Sequence, residues 1–258
     1  MAVRHTPRNH EYDRPLGAFL CLETSVIKVS ILIDGGYFLK RLPSLKPEIN
    51  VKDPLEVDKI IGTLVYNHLE KLNKIYTVPD PHALLYRCFY YDARPYMEKG
   101  HYPISKKTID YSKTHESQFR LKLFELLRKR PSFAVRLGEV RKERSWILSE
   151  EAQKGLLNKT KTVDDLTDAD FHAGLRQKAV DMRIGIDIAS LTLKKQADTL
   201  ILVAGDSDFV PAAKLARREG VRFILDPLWH SVTPDLFEHI DGLTSGLPKP
   251  KTGLQATV

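Results

Sequence analysis

Cysteine is scarce: Cys21 and Cys88 are the only two in 258 residues. That is too few for a disulfide framework, and the two have no metal-ligand spacing, so a cytoplasmic protein is expected. Long apolar runs are missing too. None approaches the roughly 20 residues that a membrane helix needs, and the short stretch 18–22 runs into Glu23 instead of forming a secretory core. A membrane partner is therefore not expected. There is no G-x-G-x-x-G and no P-loop, which leaves a nucleotide-cofactor enzyme with little support. His101, His115 and His172 do not have the spacing of a zinc site, and no internal repeat is visible.

What the chain does have is enough hydrophobic residue, 42 %, to build a core, and a net charge of +7 that is unevenly spread. Residues 94–162 hold 17 Lys+Arg against 8 Asp+Glu, a local charge of +9, so the remainder is slightly acidic. A basic middle beside an acidic remainder is the pattern of a phosphate-backbone binder with an acidic metal site; a lysine-rich solvated surface has the same composition.

Residues 1–27 are polar and aperiodic and read as an extension. The β-branched run Val29-Ser30-Ile31-Leu32-Ile33 reads as a buried parallel strand that stops at a turn, Asp34-Gly35-Gly36. Asp53-Pro54 opens a helix with an N-cap and a first-turn proline. Residues 84–91 read as a strand and 115–129 as a helix. Residues 133–140 read as a strand paired with 145–148, and 149–170 as a loop. Further on, 182–194 is helical, 199–204 is a strand ending at Gly205-Asp206, and 209–218 is a helix closed by Gly220. Residues 221–225 are a strand, Thr233-Pro234 starts a short helix, and 246–258 form a loose tail. Strands alternating with helices imply an α/β domain over residues 28–245, built on a doubly wound, mostly parallel sheet with a basic insertion at about 94–162. Such sheets bind ligands outside the carboxyl ends of their strands.

Two strands end in aspartate, Asp34 and Asp206, and Asp208 follows at a helix start. Each alone is an ordinary turn or capping residue. Together they are not ordinary, because two carboxylates about 4 Å apart repel by roughly 4 kcal/mol at an effective dielectric near 20. A cation is the usual compensation, and Mg²⁺ or Mn²⁺ suits oxygen ligands with a substrate phosphate completing the shell. Asp181 joins them from the first turn of the next helix. Asp187 lies six residues on, about 9 Å along the axis, in an outer position or beside a strand. Lys178 is placed to meet a phosphate oxygen or to pair with the acids, and Ser207 to hydrogen-bond phosphate from the helix start. Lys106, Lys107, Arg141, Lys142 and Arg144 of the basic segment are candidates to grip the backbone, with Tyr96, Tyr102, Tyr111 and Trp146 among them to stack bases.

The runs at 29–38 and 178–189, then Leu202-Val203-Ala204-Gly205-Asp206-Ser207-Asp208-Phe209-Val210-Pro211 and Ala216-Arg217-Arg218-Glu219-Gly220, resemble an NYN domain of the LabA-like group, a branch of the PIN-like nuclease fold. The resemblance implies a three-layer fold with helices on both faces of the sheet. It also implies a metal-dependent endoribonuclease acting on single-stranded RNA through Asp34, Asp181, Asp206 and Asp208, with Asp187 matching a recurring aspartate of the family's helix. One position departs: the family usually has asparagine three residues after the first aspartate, and here Tyr37 stands near the expected substrate site. Two other readings therefore stay open: an RNA-binding or assembly module without turnover, and another metal-dependent phosphohydrolase. A homo-oligomer is compatible with the sequence.

Overall fold

The computed structural model describes residues 27–250, apart from the side chains of residues 143–145. Nearly all of the expected extension and most of the expected tail, Cys21 and the side chain of Arg144 thus lie outside the described residues.

Seven strands form one sheet. β1 (Val29–Asp34) is central. On one side of it lie β2 (Leu85–Ala93) and β5 (Phe133–Leu148), and on the other β7 (Thr199–Val203), β8 (Arg222–Asp226) and the short β9 (Gly242–Leu243), all parallel. β6 (Phe171–Lys178) closes the edge antiparallel to β5. Two short strands, β3 (Lys99–His101) and β4 (Thr108–Asp110), pair apart from the sheet. The chain winds outward from β1 through β2 to β5, then returns to β7 on the other flank, so the winding reverses between β1 and β7. A crevice opens at such a reversal, on the side where the parallel strands end.

Alternation in the strands supplies a core for each face. Val29, Ile31, Ile33, Cys88, Tyr90, Ile201 and Val203 point toward α1 (Gly35–Leu45), α2 (Pro54–Tyr76) and α3 (His115–Arg128). Leu32, Phe89, Tyr91, Leu200 and Leu202 point toward α5 (Val180–Leu193), α6 (Val210–Arg218) and α7 (Pro234–Glu238). The result is the expected three-layer α/β fold. Asp53 caps α2 through the Leu55 amide with Pro54 in the first turn, and Gly220 takes a left-handed φ of 82° after α6, both as read from sequence. No helix among the described residues is long and apolar enough to cross a membrane.

Four expectations change. The turn at Asp34-Gly35-Gly36 is already helix: α1 begins at Gly35, where a Cβ would overlap the Tyr90 ring and the Tyr91 carbonyl. Residues 133–148 are one strand, because the stretch Arg141-Lys142-Glu143-Arg144 contains no turn-forming residue; β5 bulges there instead and pairs with β6, which the mixed sequence of 171–178 had concealed. The expected loop 149–170 contains a capped helix, α4 (Glu150–Leu157), with Ser149 accepting from the Ala152 amide at 3.2 Å. Residues 94–162, expected as an insertion, contribute α3 and the sheet strand β5.

Candidate active site

Four neighbouring parallel strands each carry an aspartate at their carboxyl end: Asp92 in β2, Asp34 in β1, Asp206 just past β7 and Asp226 in β8. The fold treats the outer two and the inner two differently. Asp92 is fully buried, and the Arg120 guanidinium from α3 holds both of its oxygens. Asp226 is also fully buried and saturated, accepting from His68 Nε2 and from the amides of Leu228 and Gly246, each at 2.8 Å. These two acids hold the frame together.

The inner pair is left uncompensated. Asp34 caps α1, accepting from the Tyr37 amide at 3.1 Å. Its carboxyl pKa is pushed up to about 6, chiefly by burial, with the negative charges of Asp181 and Asp92 adding to the effect. Asp206 caps the turn at Ser207–Phe209 through the Asp208 amide at 3.0 Å. Asp181 stands in the first turn of α5; its carboxyl pKa is also raised by burial first, then by the charges of Asp206 and Asp208. The charges of the four acids therefore link through Asp181, and among the described residues none of the four forms an ion pair with Lys, Arg or His.

Local geometry explains how Asp181 arrives there. Ala179, just before α5, takes a left-handed φ of 66° and turns the chain sharply out of β6. Gly138 of β5 makes room: a Cβ there would come within 2.6 Å of the Lys178 carbonyl and 2.9 Å of a Val180 methyl.

Asp187, grouped with the metal-binding acids but read as an outer residue or one beside a strand, takes the place beside a strand: it accepts from the Tyr91 hydroxyl at 2.8 Å and pairs with Arg136 at 3.3 Å, so its charge is committed to β2 and β5. Tyr37, expected near the substrate, is likewise tied within the protein. Its hydroxyl donates to the Pro227 carbonyl at 2.5 Å, and its ring lies where a Cβ on Gly205 would stand. The residue in the family's asparagine position thus fastens the start of α1 to the loop after β8, with Arg41 donating to the Leu228 carbonyl beside it. Lys178 ends β6 next to α5, and Ser207 opens the turn that Asp206 caps.

The basic segment is less free than its count suggests. Arg141 pairs with Glu139, Arg130 with Asp58, and Lys129 with Glu125. The Lys106 ammonium donates to the Pro103 carbonyl. Lys107 and Lys142 are exposed. Tyr102 and Trp146 stack on each other, with centroids 5.8 Å apart, and the Trp146 indole N–H donates to the His101 carbonyl at 3.0 Å. Sequence reasoning missed Asp92, because the strand was ended at Tyr91, and Gln177, whose strand was not seen. The Gln177 Oε1 lies 3.7 Å, and an Asp34 oxygen 3.4 Å, from where a Gly36 Cβ would stand.

Residues 102–232 match the family model of the NYN domain, half of the chain. The chain belongs to the NYN domain family. That membership fits a PIN-like fold, and the NYN match covers Asp181, Asp206 and Asp208 while Asp34 and Asp92 precede it. No curated protein matches the chain. A solved structure of a protein of unknown function from Vibrio parahaemolyticus aligns over 84 % of this chain and 91 % of that one, at 14 % identity and a TM-score of 0.37.

The donor set of this NYN domain suits a hard divalent cation: carboxylate oxygens, two of them with raised proton affinity and none in an ion pair among the described residues. The four are spread rather than collapsed. Among the described residues, the only three acid or histidine ligand atoms within 4.8 Å of one another belong to Asp235, Glu238 and His239, at the surface of α7.

Proposed function

We propose that this NYN domain is a metal-dependent endoribonuclease of the LabA-like group, cleaving phosphodiester bonds in single-stranded RNA. The observation that carries the proposal is the sorting of acids: arginine pairs with Asp92 and Asp187, and hydrogen bonds from His68 and two backbone amides hold Asp226, whereas among the described residues Asp34, Asp181, Asp206 and Asp208 form no ion pair. Leaving these four charged together costs stability, and a bound Mg²⁺ or Mn²⁺ would offset that cost. The ion would supply polarisation of the scissile phosphate and a bound water of lowered pKa. The chain's own part is to hold the carboxylates. Asp34 and Asp206 flank the crevice from neighbouring strands, Asp181 bridges them, and Asp208 stands at the turn leading into α6. Ser207 and Lys178 flank the acids, where they would meet phosphate oxygens.

One observation favours a second reading, an RNA-binding module without turnover. Tyr37 occupies the family's asparagine position and spends its hydroxyl on Pro227. A single experiment separates the two. End-labelled single-stranded RNA is incubated with the protein in Mn²⁺ or Mg²⁺, beside an EDTA control and Asp206→Asn. Fragments that appear with the metal and vanish in both controls are the expected result. RNA that is bound yet stays intact in either metal overturns the nuclease reading in favour of the module, and hydrolysis of small phosphate esters alone would point to another phosphohydrolase.

A further inference from the structure

A cleft of about 390 Å³ opens beside the acid centre, between the β5–β6 hairpin and the start of α3. Its walls come from the segment after β2 (Pro95, Tyr96), from Tyr111, and from Ala173 and Gln177 of β6, with Arg120 also lining it. It adjoins the acids at two points. Gln177 neighbours Asp34 across Gly36, and Arg120 is the residue that holds Asp92.

The chemistry of the walls selects among ligands. Among the described residues Arg120 is the only lysine or arginine lining the cleft, and Asp92 and Glu116 both claim it, so none of these residues leaves a positive charge over for a phosphate. What remains is flat, apolar or neutral polar surface. Tyr96 and Tyr111 meet edge to face at 5.1 Å and 76°, which fixes the orientation of both rings. Tyr111 is 92 % buried, yet its hydroxyl has no hydrogen-bond partner among the described residues. That oxygen is sealed from solvent, so Tyr111 offers the cleft its ring and not its hydroxyl. The Gln177 amide likewise makes no hydrogen bond among the described residues, and it offers both donor and acceptor. A neutral, planar heteroaromatic group with donors and acceptors on its rim fits such walls, and the volume suits one such group.

We infer that this cleft receives one unpaired nucleobase of the RNA, from a nucleotide next to the phosphate held at the acid centre. The inference rests on RNA being the substrate, but it is tested without cleavage. Lys142 stands opposite Leu175, another residue of the cleft, on the same face of the hairpin, so the strand leaving the cleft passes an exposed ammonium group.

The experiment measures fluorescence anisotropy in EDTA, where no cleavage occurs, with a labelled uridine octamer and with an abasic ribose-phosphate octamer of the same charge. Ala173→Trp fills the cleft. It is expected to weaken binding of the uridine octamer by about tenfold, the loss of one stacked base, and to leave the abasic octamer unchanged. Equal losses on both oligomers, or no loss on either, overturn the inference. Tyr96→Ala removes a ring from the wall and serves if the tryptophan variant does not fold. Its expected loss is about tenfold on the uridine octamer alone, and wild-type affinity there likewise overturns the inference. Wild-type protein that binds uridine selectively but never cuts RNA in any metal would refute the nuclease reading while leaving the base cleft standing.

Discussion

Asp34 shows at the scale of one residue how a strand-end acid is strained by the fold around it. Burial, joined by Asp181 and Asp92, lifts its folded pKa to about 6 from an ordinary 3.8. Because the folded pKa lies above the unfolded one, the unfolded chain releases this proton first. The group's contribution is therefore intact below about pH 4 and is lost as pH rises through about 6. Above that pH the apo protein carries an ionised, half-buried carboxylate at a cost of about 2–3 kcal/mol. Asp34→Asn keeps an acceptor for the Tyr37 amide and removes the charge, so in EDTA its Tm is expected to exceed wild type at pH 8 and to match it at pH 4. Thermal unfolding at the two pH values checks this, and a variant less stable than wild type at pH 8 would show that the carboxylate is not under electrostatic stress. Both strand-end acids were legible in the sequence, since an apolar run ending in aspartate reads the same in one dimension as in three. Their sorting was legible only in part: helical spacing sets Asp187 outward or beside a strand, but the Tyr91 and Arg136 groups that take its charge are not visible in one dimension. Tyr37 was visible as a departure, but its destination, the Pro227 carbonyl 190 residues away, was not.

The element that sets the site's geometry is the junction of the β5–β6 hairpin with α5, and it was the part least legible in the sequence. The outer strands lack the continuous apolar run that marked β1 and β7: Phe171-His172-Ala173-Gly174-Leu175-Arg176-Gln177-Lys178 alternates weakly because one side faces the cleft and the other faces solvent. Period-two reasoning works where one face is packed and fails at an edge strand whose polar residues line a site. The junction is tight. Ala179 bears a left-handed φ, and Gly138 lets the Lys178 carbonyl pass close by. Gly138→Ala is expected to push that carbonyl and the first turn of α5 outward, moving Asp181 from its place between Asp34 and Asp206. Stability should fall by about 1–3 kcal/mol, as for other overpacked sites. Metal-dependent cleavage should fall further than that loss explains when assayed well below the variant's Tm. Ala179→Gly is the matched control, since it relieves the left-handed strain and adds no atoms. If both variants cleave as wild type does, the position of Asp181 is not what the junction controls.

Over the whole molecule, net charge says less than the way charges are partnered. The +9 of residues 94–162 reads as a phosphate-binding surface, and the structure divides it into two populations. Arg120, Arg130 and Arg136 are tied to Asp92, Asp58 and Asp187, each on another element, and so act as struts. Lys107 and Lys142 are exposed and form no ion pair among the described residues. Only the second population has counterions to release when RNA binds, and each contact to a single strand contributes about 0.7 to the slope of log affinity against log salt. Lys142→Ala is therefore expected to weaken binding of a uridine octamer in EDTA and to flatten that slope by about 0.7. Arg130→Ala leaves Asp58 without its guanidinium, and should lower Tm while the salt slope stays that of wild type. Anisotropy titrations at four salt concentrations separate the two outcomes. If Arg130→Ala flattens the slope as much as Lys142→Ala does, the struts are also part of the RNA surface, and the division between frame and grip is wrong. The same partition runs through the acids, where Asp92, Asp187 and Asp226 belong to the frame and Asp34, Asp181, Asp206 and Asp208 to the proposed site. In both cases the side chains proposed to act on something outside the protein are the ones without an ion pair among the described residues.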